Sequence, residues 1–342
     1  MTAGASGEGP RDVFNVLFTC VGRRVELLDA FRRAAVALRL NPRVHGADVT
    51  PLAPGMHHVD EAHLVPRIDS PHYVPALLDL VDSRRVRLIV PSIDPDLPVL
   101  AAGAADFLSR GCAVLVSEPH VIETCRDKLR THQALRLAGL DTPDTWRLAE
   151  FPADGGAYPV YMKPRYGSAA RGNFVVHSAR ELDVLGARVS DPIVQEYVEG
   201  VEHTLDVYCG LDGVPRCVVP RRRLEVRSGE VSKSLIVRDD ALMTAGRRVV
   251  EALPGCRGVV TVQVIQTRTG RIRVIEINPR FGGGAPLSIH AGADFPRWIL
   301  QTLLGNPPVI DPLGFTDDVA MLRFDRSVFV EHASKRSADL AS

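Results

Sequence analysis

A carboxylate and an amide lie two residues apart in the stretch VIEINPRFGGGAP, residues 274–286. The alternation in RIRVIEIN predicts a β-strand, so Glu276 and Asn278 point to the same face. The preceding VVTVQVIQTRTG has strand composition and closes with a Thr-Gly turn, which predicts a hairpin that places Gln263 on the neighbouring strand. One carboxylate and two amide oxygens are hard ligands of the kind that Mg²⁺ takes. For an E-x-N pattern alone, the alternative is a pair of side chains that face solvent.

The residues after this strand favour the metal site over that alternative. They are Asn-Pro-Arg and three consecutive glycines. Glycines allow backbone N–H groups to close on an anion, and Arg280 can add a forked donor. We therefore expect a metal and phosphate site here, with Gly283 and Gly284 as tentative substrate contacts.

A second segment, YPVYMKPRYGSAARGNFVV, predicts a strand, a loop rich in small residues and another strand. Lys163 precedes the loop on an apolar strand, where a buried charge is costly unless it meets an anion. No helix beginning with Gly-Lys-Ser/Thr follows, so the segment is not a P-loop. The loop, with Gly167, Ser168 and Gly172, can instead cover phosphates as a lid. A plain hairpin turn is the alternative.

Two further segments could complete a nucleotide site. DPIVQEYVEGVE predicts a strand over 193–198 whose main chain could bind an adenine edge, and Glu202 follows at a distance suited to ribose hydroxyls. CRDKL places Lys128 near the start of a helix, where a solvated lysine is the alternative.

The segment PRRRLEVRSGEVSKSL places Arg221 and Arg223 at alternate positions, hence on one face of a strand, with Lys233 following. A basic strand could be a solvated sheet edge that is protected against aggregation. We favour a role for Arg221 or Arg223 in binding the triphosphate or a substrate carboxylate.

The first third of the chain alternates strands with helices, which implies a parallel sheet of Rossmann-like type. TCVGRRVEL has one glycine where the dinucleotide fingerprint needs three, which argues against NAD binding. Groups at the strand ends are candidate ligands, and of these Arg23 and Asp94 are the tentative substrate contacts; Arg24 and Asp48 occupy similar positions. A helix N-cap is the alternative role for Asp94.

Taken in order, five motifs resemble those of the ATP-grasp enzymes, and in particular one module of the carbamoyl phosphate synthetase large subunit. They are DK at 127–128, MKPRYGSAARG at 162–172, QEYVEGVE at 195–202, TVQVI at 261–265 and IEINPRFGGG at 275–284. The similarity runs over about 15–323. It implies an α/β and α+β chain in which an N-terminal Rossmann-like, pre-ATP-grasp domain precedes two lobes that hold a nucleotide between them.

The resemblance also implies roles for individual residues. ATP would contact Lys128, Lys163, Gly167, Ser168, Gly172, Glu196, Tyr197, Val198 and Glu202, with the main chain of Glu196 and Val198 at adenine and Glu202 at ribose. One or two Mg²⁺ ions, or Mn²⁺, would be held by Gln263, Glu276 and Asn278. The residues around the transferred phosphate, the acyl intermediate or the substrate would be Arg280, Lys163, Arg221 and Arg223. Several family members carry a carboxylate in place of Gln263, so this metal site has lower charge.

From these patterns we expect a disordered tail at 1–12, the Rossmann-like domain at 13–117, a first lobe at 118–200, a second lobe at 201–330 and a disordered tail at 331–342. The single module argues against carbamoyl phosphate synthesis itself.

Composition agrees with an enzyme that acts on small molecules. The hydrophobic fraction is 45%, which is enough to form buried cores. The formal net charge is zero, so electrostatics gives no reason to expect nucleic acid or a membrane surface as a partner. No apolar run approaches the ~18 residues of a membrane helix and the N-terminus lacks an apolar signal core, so we expect a cytoplasmic protein. The six cysteines show no CxxC spacing and are expected to be free thiols. We interpret His57, His58 and His63 as loop histidines rather than as a metal site.

The sequence therefore predicts an ATP- and Mg²⁺-dependent ligase that joins a carboxylate to an amine through an acyl phosphate and releases ADP. Its partners would be small molecules, amino acids among the candidates, and a homodimer is left open. The alternatives are a small-molecule kinase, a carbamate-forming synthetase and, from another class, a non-catalytic ATP-binding regulatory subunit.

Overall fold

The computed structural model describes residues 13–152, 157–167, 170–227 and 229–331. The predicted tails fall outside these residues, apart from Glu331.

A five-stranded sheet forms the N-terminal part. Its strands are β1 (Val13–Thr19), β2 (Asn41–Asp48), β3 (Glu61–Leu64), β4 (Val86–Pro91) and β5 (Ala113–Val114). The order is β3-β2-β1-β4-β5, and every neighbouring pair is parallel. The helices between the strands are α1 (Val25–Ala37), α2 (Tyr73–Arg84), α3 (Leu97–Ala102) and α4 (Ala104–Ser109), with 3₁₀ turns at Pro54–His57 and Asp94–Asp96. The predicted Rossmann-like parallel sheet is confirmed.

Strand β3 was not predicted, because EAHL is short and lacks β-branched residues. It forms through pairing with β2, in which His45 lies opposite Glu61 and Ala47 opposite His63. His63 therefore lies on an edge strand and not in a loop, so the loop interpretation is wrong for this residue. His57 ends the 3₁₀ turn and His58 follows it.

A four-stranded antiparallel sheet follows a helical connection. The connection is α5 (Pro119–Arg126) and α6 (Lys128–Leu137). The strands are β6 (Thr145–Arg147), β7 (Val160–Pro164), β8 (Phe174–Val176) and β9 (Pro192–Glu196), in the order β6-β9-β7-β8, with a 3₁₀ turn at Leu148–Glu150 and α7 (Ala179–Gly186) between them. The strand predicted over 193–198 ends at Glu196, because Glu196 pairs with Val160, where β7 begins. Tyr197 and Val198 lie beyond the last rung.

A six-stranded antiparallel sheet completes the chain. Its strands are β10 (Val201–Gly210), β11 (Cys217–Arg227), β12 (Glu230–Ile236), β13 (Gly258–Gln266), β14 (Ile272–Asn278) and β15 (Ala320–Leu322), in the order β14-β13-β10-β11-β12-β15. The helices are α8 (Asp240–Glu251), α9 (Ala285–His290) and α10 (Phe295–Leu303). The hairpin predicted at Thr269-Gly270 is confirmed, and β10 and β11 form a second hairpin around Asp212-Gly213. Strand β11 lies inside the sheet, so the alternative of a basic sheet edge is wrong.

The N-terminal sheet and the six-stranded sheet share one hydrophobic core. Phe31 of α1 packs edge-on against Phe18 of β1 and against Phe281, which follows β14. Each buried ring contributes roughly 1.5–3 kcal/mol relative to exposure. This packing holds the ends of β1 and β4 beside the segment after β14. The predicted boundaries near 117 and 200 fall between the sheets, and they stay a prediction.

None of the helices in the described residues combines the length and the apolar character that a membrane span needs. All six cysteines are free, as predicted. Burial raises the pKa of Cys112 and Cys256 to about 12, so these thiols stay protonated near neutral pH.

Candidate active site

A cavity of about 650 Å³ lies between the two antiparallel sheets, and residues that follow β1 and β4 close one end. The four-stranded sheet contributes Lys163 and Gln195, the six-stranded sheet contributes Gln263 and Glu276, and the N-terminal sheet contributes Asp94. The volume lies within the ~300–1,000 Å³ range of small-molecule sites.

The three predicted metal ligands share one wall of this cavity. Gln263 and Glu276 lie directly opposite each other on β13 and β14. Asn278 follows on the same face, and its Nδ2 donates to Glu276 Oε1 at 3.3 Å. Side chains opposite each other in an antiparallel pair have Cβ atoms ~4.5–5.5 Å apart, close enough for their oxygens to share an ion. Glu276 and Asn278 thus line the wall of the cavity, and Asn278 is buried, unlike the solvent-facing pair that was the alternative.

Lys163 faces this wall from the other sheet. It is 4% exposed, and its Nζ lies 3.5 Å from the Ile275 carbonyl oxygen on β14. Burial lowers the pKa of Lys163 to about 8, although the nearby Glu276 carboxylate opposes that shift. A lysine held this way lacks a full counter-charge and is suited to an anion.

Lys128 begins α6 and lines a smaller pocket that shares Asp94, Glu276 and Asn278 with the cavity. Its Nζ donates to the Gly167 carbonyl at 2.9 Å. Burial lowers its pKa as well, with Glu276 and Asp94 opposing the shift. The alternative of a solvated helix lysine therefore fails, because the side chain turns inward toward the glycine loop.

Asp127 fixes the start of this loop relative to Lys128. Its carboxylate caps α6 by accepting from the backbone N–H groups of Leu129 and Arg130 at 3.0 and 3.2 Å. It also accepts two hydrogen bonds from Arg165, at 2.8 and 2.6 Å, and one from Tyr166 at 3.0 Å. One carboxylate thus connects the helix that carries Lys128 to the loop.

Within the loop, Gly167 and Gly172 have positive φ angles of 143° and 73°. Both conformations favour glycine over residues with a Cβ atom. The third predicted loop contact, Ser168, lies outside the described residues.

Arg221 has the largest fully buried side chain among the described residues and lies in the cavity wall. Its Nε and Nη2 donate to the two oxygens of Asp206 at 2.7 and 3.0 Å, and the Ser288 hydroxyl donates to the same carboxylate at 2.6 Å. Among the described residues, its Nη1 is buried without a hydrogen-bond partner. This arrangement leaves one N–H-bearing corner of a rigid guanidinium for a ligand.

The glycines after β14 make room for arginines. A Cβ atom on Gly284 would lie 2.2 Å from Arg221 Nη1, and one on Gly283 would lie 2.8 Å from Arg24 Nη1. Neither glycine has a positive φ angle. Glycine is therefore needed at both positions because the guanidinium groups of Arg24 and Arg221 pack against them.

Arg280 and Asp94, both predicted site residues, form an ion pair across the cavity end. The Asp94 side chain makes no helix-cap hydrogen bond, so the N-cap alternative is wrong. Arg24 lines the cavity, whereas Arg23 does not: its side chain is 72% exposed and lies 3.6 Å from Glu230, which is part of the lining. The tentative assignment of Arg23 is thus corrected to Arg24, because the turn after β1 points the second arginine inward.

The remaining predicted ATP contacts gather at the other end of the cavity. Glu196, Tyr197, Val198 and Glu202 all line it. The Glu196 backbone N–H is already bonded to the Asp144 carbonyl at 2.8 Å, and its side chain accepts from Arg273 at 2.6 Å. Glu202 forms an ion pair with Arg223. The Glu196 N–H is therefore occupied, and its carbonyl oxygen is the main-chain group left for the predicted contact with adenine.

Sequence reasoning missed Asp206 and Ser288. Asp206 is a lone carboxylate in the apolar strand VEHTLDVYCG and is fully buried. A lone carboxylate on such a strand is a signal that a basic partner is near, because an unpaired buried charge is costly. Ser288 gives no such signal, since its partner lies 82 residues away.

Comparison with known proteins agrees with this geometry. Residues 125–284 match the ATP-grasp domain family, and residues 16–115 match the PylC-like N-terminal domain family. The chain is 24% identical over 250 residues to the arginine-specific carbamoyl phosphate synthase large chain of Geobacillus stearothermophilus, covering 68% of this chain and 23% of that one.

Many solved structures share this fold. The biotin carboxylase domain of Hydrogenobacter thermophilus 2-oxoglutarate carboxylase, in complex with MgADP, ADP and bicarbonate, has a TM-score of 0.69 at 19% identity, covering 90% of this chain and 73% of that one. The L-amino acid ligase of Bacillus licheniformis has a TM-score of 0.67 at 18% identity, covering 86% and 75%.

The chain spans less than two thirds of the length of the curated relatives it matches. The two family matches nevertheless lie on the parallel sheet and on the cavity-bearing sheets described above. The chain therefore contains an ATP-grasp domain at residues 125–284, preceded by a PylC-like N-terminal domain at residues 16–115.

Proposed function

We propose that this protein is an ATP- and Mg²⁺-dependent ligase that joins a carboxylate to an amine through an acyl phosphate and releases ADP. One observation carries the proposal: two desolvated lysines lie on either side of the predicted metal ligands. Lys163 lines the cavity with Gln263, Glu276 and Asn278, and Lys128 lines an adjoining pocket that shares Glu276 and Asn278 with it. Oxygen ligands opposite buried cations are suited to a metal-bound polyphosphate, whose charge both sides would neutralise.

The residues present fit both groups. Gln263, Glu276 and Asn278 would hold Mg²⁺, which when bound neutralises charge on the phosphate oxygens. Lys163 and Lys128 would bind the phosphates. Buried N–H groups without partners among the described residues, on Arg221 and Arg280, support a further anion at the end of the cavity where Arg280 pairs with Asp94.

The reaction divides into two steps. A carboxylate oxygen attacks the γ-phosphorus, the bond to the bridging oxygen of ADP breaks, and an acyl phosphate forms. The amine then attacks the carbonyl carbon, and phosphate leaves as the amine loses a proton to solvent or phosphate. Arg221 and Arg280 would orient the carboxylate and stabilise the charge that develops on its oxygens.

The family matches support small molecules as partners. Amino acids are the class we propose to screen first, because one fold neighbour is named an L-amino acid ligase. Bicarbonate is a second candidate for the carboxylate, since it is present in the Hydrogenobacter thermophilus structure. A homodimer and a cytoplasmic location stay predictions.

Product analysis with trapping tests this proposal. The full chain is incubated with ATP, Mg²⁺ and pools of amino acids or bicarbonate, with hydroxylamine in place of the amine partner. We expect ADP, phosphate and a hydroxamate of the true carboxylate. A hydroxamate formed with AMP and pyrophosphate would indicate an acyl adenylate and contradict the proposal. A phosphate ester stable to hydroxylamine would indicate a kinase, and binding without cleavage in any pool would indicate a regulatory subunit.

The pKa of Lys163 predicts how nucleotide binding depends on pH. The pKa is lowered to about 8 in the free protein, so the side chain loses its positive charge as pH rises through that value. A bound phosphate favours the charged form and raises this pKa, so binding above pH 8 must take up a proton. We expect the Kd of MgATP, measured by calorimetry, to be flat below pH 8 and to rise by up to about tenfold per pH unit above it.

A matched variant distinguishes this effect from general alkaline damage. Lys163→Arg keeps its charge at high pH, so its Kd should stay flat beyond pH 8 even if it is weaker overall. A wild-type Kd that is flat to pH 10 would contradict the assignment of Lys163.

A further inference from the structure

Three donor atoms meet at the edge of the N-terminal sheet, on residues that do not line the cavity described above. His45 lies on β2, and Glu61 and His63 lie on β3. His45 Nδ1 is 3.1 Å from His63 Nε2, and Glu61 Oε2 is 3.9 and 4.0 Å from these two nitrogens. His45 is buried, and the other two residues are partly buried.

The hydrogen bonds around His45 fix which of its nitrogens can act as a ligand. Asn15 Nδ2 donates to the Arg84 carbonyl at 2.7 Å, so Asn15 Oδ1 is the atom that lies 3.1 Å from His45 Nε2. An amide oxygen only accepts, hence Nε2 carries the hydrogen and Nδ1 presents its lone pair toward His63. Burial lowers the pKa of both imidazoles. Metal ligation requires the neutral form of imidazole, and burial favours that form at both positions.

The spacing of the three atoms matches the bond lengths of zinc. A point equidistant from all three, calculated from separations of 3.1, 3.9 and 4.0 Å, lies about 2.1 Å from each. Zn²⁺ bonds to imidazole nitrogen and carboxylate oxygen at ~2.0–2.2 Å. At this bond length, neighbouring ligand atoms lie about 3.4 Å apart around a tetrahedral ion and about 3.0 Å apart around an octahedral one. The three separations average about 3.7 Å, so a four-coordinate ion needs the smaller rearrangement, in which Glu61 Oε2 moves toward the two nitrogens.

We propose that His45, Glu61 and His63 form a Zn²⁺ site whose fourth position is open to water. Asn15 acts as the outer partner that orients His45, as amide and carboxylate groups do around zinc ligands. The ion joins β3, an edge strand of four residues, to β2, and so stabilises this edge of the sheet.

Arg84 limits the affinity of this site. Its Nε donates to Glu61 Oε2 at 2.6 Å, on the same oxygen that would bind the ion, and its side chain is 45% exposed. Metal binding therefore requires the guanidinium to turn toward Oε1 or solvent. Removal of the Arg84 guanidinium should increase the affinity of the site for Zn²⁺, because two positive charges repel across a short distance.

The test is Zn²⁺ competition against a chromophoric chelator, with the full chain and without ATP. We expect one ion per chain, affinity at least ~100-fold weaker in His63→Gln, and unchanged affinity in the control His177→Gln, whose histidine is exposed. Arg84→Gln should bind severalfold more tightly than wild type. Equal affinity in wild type and His63→Gln, or weaker binding in Arg84→Gln, would overturn the proposal.

A spectroscopic measurement separates this site from the thiols and from misfolding. Co²⁺ at the site should give the intense d–d bands of a four-coordinate ion without a thiolate charge-transfer band, and His63→Gln should lose the bands while its far-UV circular dichroism stays native. Zn²⁺ at about hundredfold excess over its Kd should raise the thermal midpoint of the wild type by roughly 5 °C and leave His63→Gln unchanged. A charge-transfer band, or the same midpoint shift in both proteins, would assign the metal to other groups.

Discussion

Replacing Glu276 with glutamine should lower kcat by at least ~10³-fold while leaving the fold intact. Glu276 is the only carboxylate among the three proposed metal ligands, because Gln263 and Asn278 contribute neutral amides. Its loss would leave a divalent ion with no charged protein ligand. The measurement is ADP formation at several Mg²⁺ concentrations, with circular dichroism as the check on folding.

The same substitution has a second expected effect. The Glu276 carboxylate raises the pKa of Lys163 against the larger effect of burial. Without this carboxylate the pKa of Lys163 should fall below about 8, so the alkaline rise in the Kd of MgATP should begin at lower pH.

The control for both effects is Glu225→Gln, which removes an exposed carboxylate that pairs with Lys233 outside the cavity at 2.6 Å. Wild-type turnover in Glu276→Gln at ordinary Mg²⁺ would refute the metal assignment.

Arg221→Lys should lower kcat/KM for the carboxylate by about 10²–10³-fold. Lysine cannot reproduce the planar fork that binds Asp206 through two nitrogens and leaves Nη1 without a partner among the described residues. Asp206→Asn should act through Arg221, with lower kcat/KM and a loss of about 3–5 kcal/mol in the free energy of unfolding, because a buried pair is broken.

Two comparisons separate positioning from simple stability. Arg222→Gln changes the neighbouring exposed arginine on the opposite face of β11 and should leave kcat/KM unchanged. Ser288→Ala removes one 2.6 Å hydrogen bond to Asp206 and should raise KM for the carboxylate with little change in KM for ATP. If Arg221→Lys retains wild-type kcat/KM, Arg221 serves the fold alone.

The sequence predicted those parts of the site that lie on one element or on one hairpin. The alternation of RIRVIEIN and the Thr-Gly turn were enough to place Gln263 beside Glu276, because strand period and turn type are local properties. The parallel sheet was also predictable, since strand and helix patterns alternate along that segment. The strand EAHL was not, because its pairing with β2 and not its own composition forms it.

Contacts between segments that are distant in the chain could not be predicted from local residue patterns. Nothing in TCVGRRVEL distinguishes Arg23 from Arg24, and only the turn that packs against the Glu230 region turns Arg24 inward. The glycines at 283 and 284 were predicted for a reason that differs from the observed one. They were expected to let backbone N–H groups close on an anion, and in the structure they admit the guanidinium groups of Arg24 and Arg221. Such close approaches depend on how two sheets pack, which no local pattern encodes.

Transfer of isotope from the carboxylate to phosphate tests the central claim most directly. After the product screen identifies a substrate pair, the carboxylate is labelled with ¹⁸O at both oxygens and the reaction is run to completion with unlabelled ATP. The acyl phosphate route predicts that each inorganic phosphate released carries one ¹⁸O atom, because the attacking carboxylate oxygen leaves with the phosphoryl group. Unlabelled phosphate, or label in AMP, would contradict the proposed reaction.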